Sequence, residues 1–158
     1  KKVTVPVPEL GSVKAFDTVE LTEDNGYLFL SCQADGKTIA ENEYALATTN
    51  DVYDWPKSDW TRTPILKHAD HTAIGGQQPA KCKVKVKEAQ GRQILLTVSN
   101  PSDQVAYLLR IVLKDKKGKI IDGVTFSDNY ITIEPRGEKT VSCVLPRDVK
   151  FAADVLSY

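Results

Sequence analysis

The chain has 158 residues, with 21 basic and 21 acidic side chains and therefore a formal net charge of zero. Its apolar content of 41% and charged content of 27% are ordinary for a globular protein. A chain of this length can bury a core without disulfide or metal support. The balanced charge argues against a nucleic acid or an anionic membrane as partner, and no apolar run reaches the roughly 20 residues that span a bilayer.

Two features concern the origin of the chain and its cysteines. Residues 1–6 lack an initiator Met and the apolar stretch of a signal peptide, and the sequence contains no Met at all. We therefore expect a piece of a longer polypeptide. Cys32, Cys82 and Cys143 are widely separated and odd in number, which favours neither a disulfide framework nor a zinc cluster. Each falls on the apolar face of a predicted strand, where a small hydrophobic role is expected.

Apolar and polar residues alternate along most of the chain, which is typical of strands with one buried face. In chain order, the alternating runs are residues 3–7, 13–21, 27–34, 81–87, 94–98, 107–113, 131–133 and 141–145. Turn signals such as Asp35-Gly36 and Lys117-Gly118 separate them. No window of a dozen residues carries a convincing helical period of about 3.6. The pattern predicts an all-β protein built of immunoglobulin-like β-sandwiches.

The alternation is lost over residues 48–79, which contain both tryptophans and both histidines. A strand-free stretch of roughly 30 residues is uncommon inside one compact domain, so we predict an aromatic-rich connector there. Residues 80–158 hold about seven predicted strands, enough for a complete sandwich. Residues 1–47 hold about four, and we interpret them as the tail of a truncated, penultimate immunoglobulin-like domain.

Three stretches of the sequence carry a family resemblance. They are Tyr27-Leu28-Phe29-Leu30 through Asp35-Gly36-Lys37 to Asn42-Glu43-Tyr44-Ala45-Leu46; the segment Asp51-Val52-Tyr53-Asp54-Trp55-Pro56-Lys57-Ser58-Asp59-Trp60, continuing to Ala69-Asp70-His71-Thr72-Ala73; and Ala106-Tyr107-Leu108-Leu109-Arg110 with Phe126-Ser127-Asp128-Asn129-Tyr130. They resemble the closing hairpin, the inter-domain segment and the last immunoglobulin-like domain of family 2 glycoside hydrolases, in the exo-β-glucosaminidase and β-mannosidase branch. Ala45 and Phe126 stand where that family usually has Trp.

The resemblance implies the last two accessory domains of a retaining glycosidase that acts on terminal β-glucosaminides or β-mannosides. The expected partners are the upstream catalytic and β domains of the same polypeptide, and the family suggests a periplasmic or secreted location. Asn42-Glu43 reproduces the dipeptide of the family's acid/base, but it lies on a predicted hairpin strand. The chain is also too short for a barrel of about 250 residues. We therefore expect no catalytic residue, no metal and no cofactor in this chain.

The residues singled out for function are Tyr53, Trp55 and Trp60. Flat aromatic rings stack on pyranose rings, and neighbouring carboxylates bind sugar hydroxyls, so the segment has the composition of a carbohydrate-contacting surface. The alternative is that both indoles fill the seam between the two sandwiches, each burying about 150–250 Å². Glycan is thus a second possible partner.

Other polar groups have simpler interpretations. We expect turn capping from four connector carboxylates, Asp51, Asp54, Asp59 and Asp70. His68 and His71 have a spacing that could begin a zinc site, but a third ligand would be needed, and we expect loop hydrogen bonds instead. The lysines that alternate through residues 81–87 are interpreted as protection of a sheet edge.

Overall fold

The computed structural model describes residues 2–17, 20–21 and 25–157. These residues are almost entirely strand and loop, and the α-helix among them, α1 (Thr72–Gly75), has only four residues. Within this described part, no helix has the length and apolar character needed to cross a membrane. The chain divides into two compact units, one formed by residues 1–28 and 44–74, the other by residues 29–43 and 75–158.

A long hairpin follows the N-terminal region. Its strands β1 (Asn25–Ala34) and β2 (Lys37–Ala47) form a two-stranded sheet. The turn residues Asp35 and Gly36 have φ of 50° and 73°, as a two-residue turn with positive φ at both positions requires. The sequence signal for this hairpin is therefore confirmed. Cys32 is exposed on β1, so its predicted small hydrophobic role is wrong.

The prediction of about four strands in residues 1–47 is wrong for the described part, which contains β1 and β2. Val3, Val7 and Val13 alternate with other residues but are exposed and lie outside strands. Alternation alone does not make a strand, because the backbone groups need a paired neighbour, and Pro6 and Pro8 have no N–H to donate. Val19, which belongs to the same alternating run, lies outside the described residues.

The prediction that residues 48–79 contain no strand is also wrong. Strands β3 (Val52–Tyr53) and β4 (Ile65–Lys67) pair antiparallel, and a 3₁₀ turn (Trp55–Lys57) and α1 lie in the same segment. The strands have two and three residues and a register shift between them. Elements so short cannot display a period of about two over the 4–8 residues that the pattern needs. The boundaries at residues 47 and 79 stay predictions.

Residues 80–157 form a β-sandwich of seven strands, as predicted. In chain order these are β5 (Lys83–Gln90), β6 (Gln93–Ser99), β7 (Ala106–Lys114), β8 (Thr125–Phe126), β9 (Ile131–Ile133), β10 (Glu138–Val144) and β11 (Ala152–Leu156). They make a four-stranded sheet in the order β5-β6-β10-β8 and a three-stranded sheet in the order β11-β7-β9.

The core lies where alternate side chains of the two sheets meet. Leu96 is paired with Val141, and Ile94 with Cys143, across β6 and β10. The buried cluster consists of Ile94, Leu96, Val98, Ala106, Leu109, Ile111, Leu113, Ile131, Ile133, Val141, Cys143 and Leu145. The alternating residues of β6, β9 and β10 thus point into this one core, as the pattern predicts. In β7 the alternation holds from Leu109 to Leu113, whereas Tyr107 lies outside the cluster because the register shifts between Ala106 and Leu109.

Two cysteines belong to this core. Cys143 is buried, and Cys82 is partly buried and packs against the same cluster. Burial raises the pKa of both thiols, because an apolar environment disfavours the thiolate. The predicted small hydrophobic role is confirmed for these two residues.

The lysine-rich strand β5 is at the edge of the four-stranded sheet. Lys83, Lys85 and Lys87 are exposed, and the register shifts between Val86 and Glu88. Charged side chains and a bulge are two devices that keep an edge strand from pairing with another chain. The location predicted for the lysines is confirmed.

Candidate functional site

The candidate site is the hairpin of residues 51–70 in the first unit, here called the aromatic hairpin. Beyond the short β3–β4 pairing, the Asp54 N–H donates to the Pro64 carbonyl at 2.9 Å. Nearer the tip, the Asp59 N–H donates to the Arg62 carbonyl at 3.0 Å. These bonds close the loop on itself, and the 3₁₀ turn is favoured by a proline in its first positions.

The three aromatic residues predicted from the sequence are exposed on this hairpin. The ring centroids of Tyr53 and Trp55 are 5.3 Å apart, with 47° between the ring planes, which is a favourable aromatic pair. The exposed fractions are 39% for Tyr53, 68% for Trp55 and 96% for Trp60. Both indoles are largely exposed side chains of the aromatic hairpin, and their two interpretations, sugar contact and seam filling, stay predictions.

Two carboxylates of this segment, Asp59 and Asp70, bind the backbone of their own turns. Asp59 Oδ1 accepts from the Thr61 hydroxyl at 2.5 Å, the Thr61 N–H at 2.7 Å and the Arg62 N–H at 3.0 Å. Asp70 Oδ1 accepts from the Thr72 hydroxyl at 2.7 Å and the Thr72 N–H at 2.9 Å. In each case the threonine hydroxyl, followed by the backbone bond, lowers the pKa of the aspartate. The predicted turn-capping role is confirmed for both.

The remaining connector groups also make local contacts. Asp51 Oδ1 accepts from the Ala69 N–H at 2.7 Å and lies 3.8 Å from His68 Nδ1. Asp54 Oδ2 lies 2.9 Å from Lys57 Nζ. Across the described ranges, no three His, Cys, Asp or Glu side chains are grouped as a metal site would need.

The aromatic hairpin has six exposed large apolar side chains: Val52, Tyr53, Trp55, Trp60, Ile65 and Leu66. Successive residues of a strand point to opposite faces, so Val52 and Tyr53, like Ile65 and Leu66, do not share one face. The ring pair of Tyr53 and Trp55 is the aromatic contact within this set. The arrangement can offer ring faces to a sugar or apolar area to a protein, and it contains no evident nucleophile–base pair.

The dipeptide Asn42-Glu43 is in a different setting. Glu43 lies on β2 and lines a cleft of about 330 Å³ in the second unit, together with Glu41, Glu134, Glu138 and Lys139. Lys139 Nζ is 3.7 Å from Glu43 Oε1 and 3.3 Å from Asp128 Oδ2. Glu43 is thus one member of a surface charge network on an antiparallel hairpin, the location that the sequence predicts.

Asn129 lies in the Ser-Asp-Asn stretch that carried the family resemblance. Its Oδ1 accepts from the Ile111 N–H at 2.7 Å, and its Nδ2 donates to the Ile111 carbonyl at 3.0 Å. The side chain therefore pairs with β7 through one donor and one acceptor, as a strand residue would. These two hydrogen bonds give Asn129 a structural role in the sandwich.

Sequence reasoning overlooked Asn100, which is 1% exposed. Its Nδ2 donates to the Gln104, Ile133 and Glu134 carbonyls at 2.7, 3.3 and 3.1 Å. Its Oδ1 accepts from the Ser102 N–H at 3.2 Å and the Ser102 hydroxyl at 2.5 Å. The Asn-Pro-Ser turn composition gave a local signal for this residue, but not for its long-range contacts.

Sheets of four and three strands around one core define an immunoglobulin-like β-sandwich. Residues 60–155 match the family model described as the exo-beta-D-glucosaminidase Ig-fold domain. The chain belongs to this family, which confirms the resemblance drawn from the sequence.

Curated relatives and a solved structure are similar to this chain. The chain is 29% identical over 143 residues to an exo-beta-D-glucosaminidase of Arthroderma benhamiae, covering 89% of this chain and 16% of the relative. It is 30% identical over 109 residues to an exo-beta-D-glucosaminidase of Hypocrea jecorina, covering 63% of this chain and 12% of the relative. The exo-chitosanase CsxA of Amycolatopsis orientalis matches with a TM-score of 0.75 at 20% identity, covering 91% of this chain and 18% of that one. The last comparison bears on the fold alone.

Proposed function

We propose that this chain is a non-catalytic accessory region of a longer glycoside hydrolase that cleaves terminal β-linked glucosamine residues. The partners would be the upstream catalytic and β domains of the same polypeptide. The observation that carries the proposal is the match of residues 60–155 to the immunoglobulin-fold domain of exo-β-D-glucosaminidases. The chain spans only 12–16% of the length of the two curated relatives described above.

The non-catalytic role has separate physical support. Glycoside hydrolysis needs two carboxyl groups on either side of one bond, about 5–5.5 Å apart for retention. The carboxylates of the aromatic hairpin are engaged in holding its turns, and Glu43 is close to Lys139. In the described residues 80–157, seven strands pack around a filled core, and the chain is shorter than the roughly 250 residues of a catalytic barrel.

The substrate of the parent enzyme would be a β-glucosaminide rather than a β-mannoside. Both named relatives are exo-beta-D-glucosaminidases, and the matching family model has the same description. A β-mannoside remains the second substrate to assay, because the sequence resemblance covers both branches.

The test compares the natural polypeptide with this 158-residue chain on p-nitrophenyl β-D-glucosaminide and p-nitrophenyl β-D-mannoside. The natural polypeptide is expected to release nitrophenol from the glucosaminide, and the 158-residue chain from neither. Turnover by the isolated chain, with the activity eluting together with the 17.5 kDa protein, would contradict the non-catalytic role. Turnover of the mannoside alone would contradict the substrate assignment.

A second candidate function is glycan binding by Tyr53, Trp55 and Trp60. The observation in its favour is the exposure of the two indoles, with the Tyr53 ring 5.3 Å from that of Trp55. Titration with glucosamine oligosaccharides would then quench or shift the tryptophan fluorescence, and Trp60→Ala would reduce the change. Fluorescence indifferent to saturating oligosaccharide would exclude this candidate.

A further inference from the structure

We propose that Asn25-Gly26 is a site of spontaneous deamidation, and that loss of the Asn25 amide group releases the segment that precedes α1. Asparagine followed by glycine occurs once in the chain, at these two positions. The dipeptide is typical of tight turns, whereas here it begins strand β1. The inference is independent of the proposed function, because it concerns a reaction of this chain with water.

The first argument is the chemistry of the dipeptide. Asparagine is one of the thermolabile residues. The backbone nitrogen of Gly26 gives its proton to solvent and attacks Cγ of Asn25, so that a bond from nitrogen to Cγ forms while the Cγ–Nδ2 bond breaks. Nδ2 takes up a proton and leaves as ammonia, and water then opens the resulting imide at either carbonyl to give aspartate or isoaspartate. Glycine favours the attack because it has no Cβ beside the attacking nitrogen.

The second argument is that the Asn25 amide group links the base of the β1–β2 hairpin to the segment before α1. Its Nδ2 donates to the Asp70 carbonyl at 2.8 Å and to the Leu46 carbonyl at 3.4 Å. An ionised aspartate at position 25 has no hydrogen to donate, so its carboxylate would face two carbonyl oxygens. Deamidation therefore removes both hydrogen bonds and replaces them with repulsion between acceptors.

The third argument is that the site can open without unfolding of the sandwich. Asn25 is partly buried and is the first residue of β1, and the ends of such elements open locally at a small free-energy cost. The attack requires that Nδ2 leaves its two acceptors and that Gly26 leaves the extended strand conformation. We therefore expect the native chain to be modified, but more slowly than an unstructured peptide.

The first experiment compares the rate of deamidation at position 25 in the 158-residue chain and in a synthetic peptide of residues 21–30. Both are incubated in the same mildly alkaline buffer, and peptide mass spectrometry separates asparagine, aspartate and isoaspartate over time. The two hydrogen bonds of Nδ2 should slow the reaction in the native chain by about tenfold. Asn42, which is exposed on β2 and precedes Glu43 rather than glycine, is the internal control and should stay unmodified.

Variants provide the second measurement, the rate of limited proteolysis within residues 66–74. Asn25→Asp is a mimic of the product and should raise the cleavage rate by about tenfold. Gly26→Ala is the matched control, because it retains the Asn25 amide group and hinders the attack; the added Cβ would crowd only the end of the Leu21 side chain, at 2.8 Å. On ageing, the wild-type chain should approach the cleavage rate of Asn25→Asp, whereas Gly26→Ala should keep its initial rate.

Each outcome decides one part of the inference. A native chain that is still unmodified after about a hundred half-lives of the peptide would overturn the assignment of a modification site. Equal rates in the native chain and in the peptide would overturn the link between Asn25 and the two carbonyls. Cleavage of Asn25→Asp at the wild-type rate would overturn the release of the segment before α1.

Discussion

Asn100 is the residue whose replacement tests the sandwich most sharply. It follows β6 in one sheet, and its amide group donates to the carbonyls of Ile133 and Glu134 at the end of β9 in the other. The same side chain organises the loop before β7 through Gln104 and Ser102. We therefore expect Asn100→Ala to loosen both the loop and the link between the sheets.

The magnitude follows from the contacts. Three are short, to the Gln104 carbonyl at 2.7 Å, the Glu134 carbonyl at 3.1 Å and the Ser102 hydroxyl at 2.5 Å. At about 1 kcal/mol net for each hydrogen bond, Asn100→Ala should lower the free energy of unfolding by about 3 kcal/mol. For a sandwich of this size, that corresponds to a fall in Tm of about 12–24 °C. Urea or thermal denaturation followed by circular dichroism gives both values.

The control is Gln104→Ala, because the Gln104 side chain is exposed and its carbonyl, which accepts from Asn100, is retained. It should change the free energy of unfolding by no more than about 0.5 kcal/mol. A loss below about 1 kcal/mol for Asn100→Ala would refute the reasoning, since the side chain would then not be holding the two sheets together.

Further changes test other parts of the structure. With iodoacetamide at pH 8, Cys32 should be alkylated rapidly and Cys143 only on unfolding, because burial raises the pKa of the Cys143 thiol; mass spectrometry of the native chain checks this, and equal rates would contradict it. Lys114 Nζ lies 2.5 Å from Asp154 Oδ2 and holds the pKa of Asp154 below its ordinary value. The pair therefore stabilises the fold above about pH 4, and this contribution is lost as the pH falls through the lowered pKa. Asp154→Asn should therefore cost less than about 1 kcal/mol at pH 7 and still less in acid, as measured by urea denaturation over a series of pH values. A cost that does not depend on pH would exclude the ion pair as its cause. Lys85→Val on the edge strand β5 should increase concentration-dependent aggregation, measured by light scattering. Unchanged scattering would contradict the protective role of the lysines.

The sandwich could be predicted from the sequence because its signal is local and repeated. Leu96 and Val98 alternate on a strand long enough to display the period, and each such strand buries one face in the same core. Val3, Val7 and Val13 have the same alternation but lie outside strands, so the strand prediction was wrong there. The strands β3 and β4 were missed for a different reason, because strands of two or three residues are too short to show a period.

The candidate site was only partly accessible from the sequence. Composition alone singled out Tyr53, Trp55 and Trp60, and turn chemistry gave the roles of Asp59 and Asp70. Exposure depends on what the rest of the chain covers, and composition does not contain that information. The long-range contacts of Asn100 were inaccessible for a similar reason, because its partners at the end of β9 lie 33 and 34 residues away in the sequence.

We propose that this chain is an accessory part of a longer exo-β-D-glucosaminidase. The most direct test is the mass of the natural polypeptide, by immunoblot of source-cell extract with an antibody raised against this chain. The account predicts a band several-fold heavier than 17.5 kDa, because the chain spans only 12–16% of its curated relatives. A single band at 17.5 kDa would contradict the claim, and the chain would then be a free-standing module.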